Sequence, residues 1–451
     1  MRTNLKATRY EGVTYEGASA VRLTALQQLR RSVMSCMLFE SEFYEDGQKI
    51  ADRIVGLCND PSIEVGDIAM LAVEARNVMH LRHAPLLLLC GIIERGKGQS
   101  VVQDAIVAVI QRADELAELV SMYWRNGKRP FSAQMKKGLA RAFLKFDAYA
   151  LGKYNRDAKV KLRDVLFLCH AKPDSPEREA LWKQLIDGTL ESPDTWEVNL
   201  SGGADKKATF ERLLTEGKLG YLALLRNVRG MVEAGVDNQL LTAAIEARKG
   251  SARVLPFRYV AAARACPQME PAIDQALLAS IAEARSLPGR TVVMVDVSGS
   301  MRTQLSAKSD MQRIDAACAL GSIIKADQLR VFSFADKVIE VPPRRGMAGI
   351  DVIQKSQSGG TRLFEAVDWI NRNVPYDRLI VITDEQATDP ARVGYWIQTA
   401  AIRTLPDPVS GARGYMINVA SAKHGVGYGR WVHLDGFSEG VLRWIHEVES
   451  V

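Results

Sequence analysis

Along roughly the first 285 residues the apolar positions recur at helical spacing. Between Ala18 and Met37 the stripe includes Val21, Leu26, Leu29, Val33 and Met37, which predicts an amphipathic helix. The same period predicts helices over Glu64–Met79, Ala84–Glu94, Val101–Arg112, Leu116–Arg125 and Ala133–Lys145. It continues over Val160–Cys169, Pro176–Ile186, Thr209–Leu214 and Leu219–Ala234. Polar turns such as Asn59-Asp60-Pro61-Ser62 and Lys172-Pro173-Asp174-Ser175 separate these stretches, and period-2 alternation is nearly absent. Many short helices joined by tight turns predict a solenoid of stacked, degenerate HEAT-like pairs, although no strict repeat motif marks the period.

The pattern changes near Ser286-Leu287-Pro288-Gly289. Thr291–Val297 is a continuous apolar run rich in β-branched residues, as expected of a strand buried on both faces of a parallel sheet. Helix and strand then alternate: helix Met311–Lys325, strand Leu329–Phe334, helix Leu363–Asn373, strand Arg378–Thr383, helix Arg392–Ala401, strand Tyr415–Ala420 and helix Glu439–Glu449. The expected fold is therefore α + α/β. A helical domain over 1–288 precedes a doubly wound, Rossmann-like α/β domain over 289–451. Ligands of such sheets bind at the carboxyl ends of the strands.

Composition adds limits. The 451 residues are 47% hydrophobic and 25% charged, which suits two or three packed domains. No apolar run approaches the ~20 residues of a bilayer span, and the first residues lack a secretory h-region, so a cytoplasmic location is expected. The six cysteines form no C-x-x-C pair, which argues against a disulfide framework or a structural zinc site.

The charge is uneven. Arg125–Lys172 holds thirteen Lys/Arg against three acids, while the whole chain is only +6. Such a window attracts polyanions, and its interleaved aromatics, among them Trp124, Phe131, Tyr149 and Tyr154, could stack on unpaired bases. A solvated helix face with core aromatics would read the same way.

Three loops at the expected strand ends carry oxygen ligands: Asp296-Val297-Ser298-Gly299-Ser300, Ser358-Gly359-Gly360-Thr361 and Thr383-Asp384-Glu385. Hydroxyls and carboxylates make a hard site of the kind Mg²⁺ prefers. The first loop is D-x-S-x-S, and the set resembles the metal-ion-dependent adhesion site (MIDAS) of von Willebrand factor A domains. That resemblance implies Ser298, Ser300 and Thr361 close to a Mg²⁺ or other divalent ion. Asp296 and Asp384 would act through waters, and one coordination position would stay open for a partner's acidic side chain.

A helical half before such a domain is the layout of the Ro autoantigen family, the TROVE-domain proteins. Strings in order resemble that family: Leu29-Arg30-Arg31 before Phe39–Tyr44, Gln134–Phe146, Asp164–Pro173, Leu222–Met231 and Arg253–Tyr259. The resemblance implies a monomeric HEAT-like ring whose hole takes single-stranded 3′ ends of misfolded RNA. It also implies a basic outer surface for structured Y RNA. Bacterial members are linked to RNA quality control and decay, with an exoribonuclease as a possible partner.

By the same resemblance Lys136, Lys137 and Arg141 match basic positions of the RNA-binding helix, and His170 matches a histidine at the hole. Arg125, Lys128 and Arg129 are further candidate phosphate contacts. The family's glycine-rich stretch is here Ser41-Glu42-Phe43-Tyr44, without glycines, a departure from the family's pattern.

No P-loop or H-E-x-x-H pattern is present, so no catalytic residue and no enzyme activity are expected. Gly425-Val426-Gly427-Tyr428-Gly429 leads toward another strand and reads as a flexible loop rather than a dinucleotide fingerprint. His80 and His83, one turn apart, lack a metal-site context. The alternative reading is a metal-dependent protein-binding adaptor without an RNA role.

Overall fold

The computed structural model describes residues 10–14, 17–34, 47–79, 81–155, 157–251, 254, 256–283, 285–304, 311–388, 404–420, 424–436, 445 and 449. In chain order a short hairpin, β1 (Tyr10–Val13) and β2 (Ser19–Val21), precedes α1 (Ala25–Met34). Then come α2 (Gly47–Cys58), α3 (Val65–Asn77), α4 (His83–Arg95), α5 (Ser100–Val109), α6 (Asp114–Tyr123), α7 (Ala133–Phe143) and α8 (Ala148–Tyr154). They are followed by α9 (Leu162–Cys169), α10 (Pro176–Asp187), α11 (Trp196–Ser201) and α12 (Lys206–Thr215). Next are α13 (Tyr221–Glu233), α14 (Asn238–Ala247), α15 (Pro256–Ala265) and α16 (Glu270–Glu283). The C-terminal part runs β3 (Leu287–Asp296), α17 (Arg313–Ile323), β4 (Ala326–Phe334), β5 (Val338–Val341), α18 (Gly346–Gln354), α19 (Leu363–Asn373), β6 (Arg378–Thr383), β7 (Arg413–Asn418) and β8 (Trp431–Asp435). A mostly helical region thus precedes a mixed, mainly parallel sheet, as the hydrophobic patterning predicts. No described helix is long and apolar enough to cross a membrane.

By compactness the chain forms two units, Ala51–Leu219 and Met1–Ile50 joined with Gly220–Val451. Local chemistry explains the helices of the first. Met135 N–H donates to Ser132 Oγ (3.2 Å) at the start of α7, and Ala208 N–H to Asp205 Oδ1 (2.7 Å) at the start of α12. Ser175 caps α10, Pro176 follows it, and Gly188 ends it in the left-handed region. Neighbouring helices pack through Leu, Ile and Val. At Gly138 of α7 a side chain would meet Ile106 and the Gln103 backbone of α5 at about 3 Å, so only glycine permits that approach.

In the second unit the sheet order is β5-β4-β3-β6-β7-β8. All pairs are parallel except the antiparallel β4–β5 edge. The last six residues of β3 and all of β6 are buried, which is why Val292–Val295 and Leu379–Ile382 read as apolar runs. Helix α17 is buried along its whole length. Three features differ from the sequence expectation. Ser19–Val21 is a strand, and the helix expected from Ala18 begins only at Ala25. The edge strand β5 and helix α18 follow β4, where no element was expected. Ala18, from the N-terminal segment, lies in the same hydrophobic cluster as Val292, Met294, Phe332 and Val381. The expected helices Arg392–Ala401 and Glu439–Glu449 fall almost wholly outside the described residues, as does Phe39–Tyr44. Cys58, Cys90, Cys169, Cys266 and Cys318 are buried free thiols.

Candidate nucleic-acid interface and candidate metal centre

The basic candidates all belong to the Ala51–Leu219 unit. Helix α7 turns Met135, Leu139, Ala142 and Phe143 inward, which leaves Lys137 and Arg141 exposed one turn apart and Lys136 half-buried. Arg141 Nη1 lies 2.6 Å from Asp104 Oδ1 of α5. One turn on, Lys145 Nζ donates to the carbonyls of Val107 (2.9 Å) and Ile110, capping the end of α5. Helix α9 packs on α7. His170 ends α9 in the left-handed conformation, with φ +54°, and is exposed.

The turn after α6 holds the other candidates. Arg125 and Lys128 are exposed, and Lys128 Nζ sits 5.5 Å above the Trp124 ring. Arg129 is more committed. Its guanidinium lies 3.9 Å from the Tyr123 ring centre, donates to the Tyr123 carbonyl (3.0 Å) and pairs with Glu94 (2.5 Å). Half-buried Phe131 packs against both Tyr123 and Trp124 in this turn. Tyr149 remains exposed. Phe167, which sequence reading did not single out, is 57% exposed on α9. It stands four residues after exposed Arg163, so these two share one face of α9, at the end of which His170 follows.

The oxygen cluster belongs to the other unit, at the carboxyl ends of β3 and β6. Ser298 N–H donates to Asp296 Oδ1 (2.9 Å), Thr383 Oγ1 donates to Asp296 Oδ2 (2.6 Å), and the Ser298 and Ser300 hydroxyls are 3.2 Å apart. Gly299 N–H donates to the Gly359 carbonyl (3.1 Å), which brings the second loop against the first. Thr361 N–H reaches Thr388 Oγ1 (3.1 Å), and Gln386 N–H donates to Asp384 Oδ1 (3.1 Å). Asp296, Ser298, Thr361 and Asp384 are all buried. Burial and the nearby Asp384 carboxylate push the Asp296 carboxyl up to about 7, against the pull of Ser298 and Thr383. Two buried carboxylates that repel one another, beside three hydroxyls, fit a hard cation. Among the described residues no group of three or more His, Cys, Asp or Glu is placed to hold a metal ion. A cation here would therefore lean on Ser298, Ser300 and Thr361. His80 lies outside the described residues.

Sequence reading counted Glu385 only as part of an oxygen-bearing loop and missed the buried network that takes up its carboxylate. Glu385, at φ +58°, buries its carboxylate completely. Oε1 accepts from the Val426 and Gly427 amides (3.1 and 2.6 Å), and Oε2 meets His433 Nε2 (2.8 Å) and Arg31 Nη1. Arg31 Nη2 also donates to the His424 carbonyl (3.0 Å). Burial alone would raise the Glu385 carboxyl, but Arg31 and His433 hold it well below the usual range. Burial would lower His433, yet Glu385 and Asp435 outweigh it and raise it to about 9. Val426–Tyr428 of the glycine-rich loop, expected to be flexible, is buried and holds this carboxylate. No local pattern announces the cluster, because its members lie up to 402 residues apart.

Comparison with known proteins agrees with this architecture. A TROVE domain model matches residues 187–306. Over 86 residues the chain is 30% identical to telomerase protein component 1 of Mus musculus and 29% identical to that of Rattus norvegicus. That stretch is 18% of this chain and only 3% of either relative. The crystal structure of the Deinococcus radiodurans Ro (RSR) protein superposes with a TM-score of 0.57 at 16% identity, over 93% of this chain and 98% of that one. Residues 187–306 thus match the TROVE domain, and the chain has the fold of the Ro protein on which it superposes.

Proposed function

We propose that this protein is a non-enzymatic, Ro-type RNA-binding scaffold. The observation that carries the reading is the exposed cationic pair Lys137 and Arg141 on α7, beside a helix that ends at exposed His170, in a chain whose residues 187–306 match the TROVE domain. Phosphate contacts from such cations fix position without reading sequence, so structured small RNA of the Y type is a fitting ligand. Single-stranded 3′ ends of misfolded RNA would engage near His170, where exposed rings can stack on unpaired bases. RNA quality control or decay, with an exoribonuclease as partner, is the role this binding would serve. The functional division is taken as 1–288 for RNA and 289–451 for a von Willebrand A-type domain.

We also propose that the oxygen cluster is the adhesion site of that domain and takes Mg²⁺. Ser298, Ser300 and Thr361 would hold the ion, with Asp296 and Asp384 acting through waters. The ion would supply a Lewis-acidic position for a partner's carboxylate. If this were the protein's main role, RNA would bind only weakly even at low salt.

One set of measurements separates the two readings. A labelled hairpin RNA with a 3′ tail is titrated by fluorescence anisotropy at several salt concentrations. Lys137→Ala with Arg141→Ala is expected to weaken binding across sequences, while His170→Ser mainly weakens tailed RNA. Asp296→Ala is expected to abolish Mg²⁺ heats in calorimetry and to leave RNA affinity intact. Wild-type protein that fails to bind RNA at low salt would sink the RNA reading.

A further inference from the structure

The segment that begins at Thr14 and ends with α1 comes from the far end of the chain, yet it grips the loop that carries Asp384. Along that loop, residues 383–388, the segment holds two points. At one, Arg31 enters the Glu385 carboxylate, already held by the Val426 and Gly427 amides and by His433 Nε2. Behind His433, Tyr428 stacks at 4.2 Å and Asn418 Nδ2 donates to Asp435 Oδ1 at 2.9 Å. At the other, the Ala387 carbonyl accepts from Thr14 Oγ1 (2.7 Å) and from Ala18 N–H (3.4 Å), and Gly17 bridges to Thr388. Thr388 Oγ1 in turn accepts the Thr361 amide at 3.1 Å. Leu23 packs on Tyr428, and α1 on β8.

The energetics make this a mutual dependence. A glutamate at positive φ persists only where its surroundings over-determine it. Glu385 and Arg31 are both essentially fully buried, so each charge left without the other would be an uncompensated ion in the interior. Withdrawing the segment therefore frees the residue next to Asp384 and the backbone that orders Thr361. Asp384 and Thr361 are two of the five residues of the cluster.

We propose that the N-terminal segment is an intramolecular strap for the cation site. Docked, it sets the spacing of Asp384 and Thr361; a cation bound there tightens the strap in return. The proposal deepens the reading of the oxygen cluster as a Mg²⁺ site and rests on it. Linkage of this kind is reciprocal by thermodynamic necessity.

The test uses the full chain with Mg²⁺ alone as probe. Hydrogen exchange of peptides covering 17–34 is followed with and without saturating Mg²⁺, and Mg²⁺ affinity is measured by calorimetry. Mg²⁺ is expected to slow exchange in that segment about 5-fold or more, within the usual range of coupling between sites. Asp296→Ala, which lies outside the strap's own contacts, is expected to remove that protection. Arg31→Met is expected to weaken Mg²⁺ binding about 10-fold or more. Thr14→Val, a milder change, should weaken it less and serves if Arg31→Met does not fold. A role for Arg31 in stability alone would lower the melting temperature without making exchange of 17–34 depend on Mg²⁺. Wild-type protein that binds Mg²⁺ with unchanged exchange there would overturn the strap and leave the metal reading standing. Absence of any Mg²⁺ heat with wild type would overturn both.

Discussion

Arg141 on α7 and Asp104 on α5 form a 2.6 Å ion pair in which both side chains remain about half exposed. An exposed pair of this kind adds only about 0–1 kcal/mol to stability, but it competes directly with a phosphate for the guanidinium. Asp104→Asn is therefore expected to raise RNA affinity a few-fold while leaving the urea midpoint nearly unchanged. Lys137→Ala with Arg141→Ala should flatten the logarithmic salt dependence by roughly 0.7 for each lost single-strand phosphate contact. Anisotropy titrations from low to moderate salt measure both, and an unaltered slope in the double variant would remove α7 from the interface.

His170 occupies the left-handed region at the end of α9, where glycine carries no steric penalty. His170→Gly should stabilise the protein by roughly 0.5–1 kcal/mol and at the same time weaken binding of RNAs with a free 3′ tail. Opposite signs in denaturation and binding would mark a strained residue kept for function. A loss of stability in this variant would show instead that the imidazole supports the fold.

Arg264 of α15 joins the helical elements to the α/β elements of its own unit. Its Nε lies 3.2 Å from Asp315 Oδ1 and its Nη2 2.9 Å from Asp351 Oδ1. Asp315 is nearly buried, so Arg264→Met strands a carboxylate in the interior. A loss of about 1–3 kcal/mol is expected in urea denaturation. The double variant Arg264→Met with Asp315→Asn should recover part of it.

His433 sets a pH dependence. Its folded value of about 9 exceeds the ordinary 6.5, so the protonated ring favours the folded state. That contribution is fully present below pH 6.5 and is lost as the pH rises through about 9. Stability measured by chemical denaturation should therefore decline between these limits. His433→Gln should be less stable at pH 6 and show a flatter decline; a wild-type profile without a decline would mean that the ring is neutral between its two carboxylates.

Much of this molecule could be read locally. Helices α3 to α7 announce themselves through the 3.6-residue recurrence of Leu, Ile and Val, and the starts of α7, α8, α10, α12 and α14 through a Ser or Asp cap. β3 and β6 announce themselves because a strand buried on both faces must be apolar throughout. The short strands β2 and β5 did not. Ser19–Val21 follows apolar positions that also fit a helix, and a strand of three or four residues is too brief to establish a period. The exposed charges of α7 were legible because solvent sets them, whereas Arg129 folds back onto Tyr123 and Glu94 through contacts that no spacing encodes.

By itself, then, the amino-acid order determined which segments become most of the helices and strands, where positive charge gathers, and which carboxylates and hydroxyls follow β3 and β6. Those properties depend on period, composition and short motifs. Only the tertiary structure decided that Arg31 would meet Glu385, that Thr14 would hold Ala387, and that a glycine-rich loop would turn its amides on a buried carboxylate. The physical reason is that a buried ion has no local signature. Its partner is chosen by which distant surface excludes water from it, and that surface exists only once the chain has closed on itself.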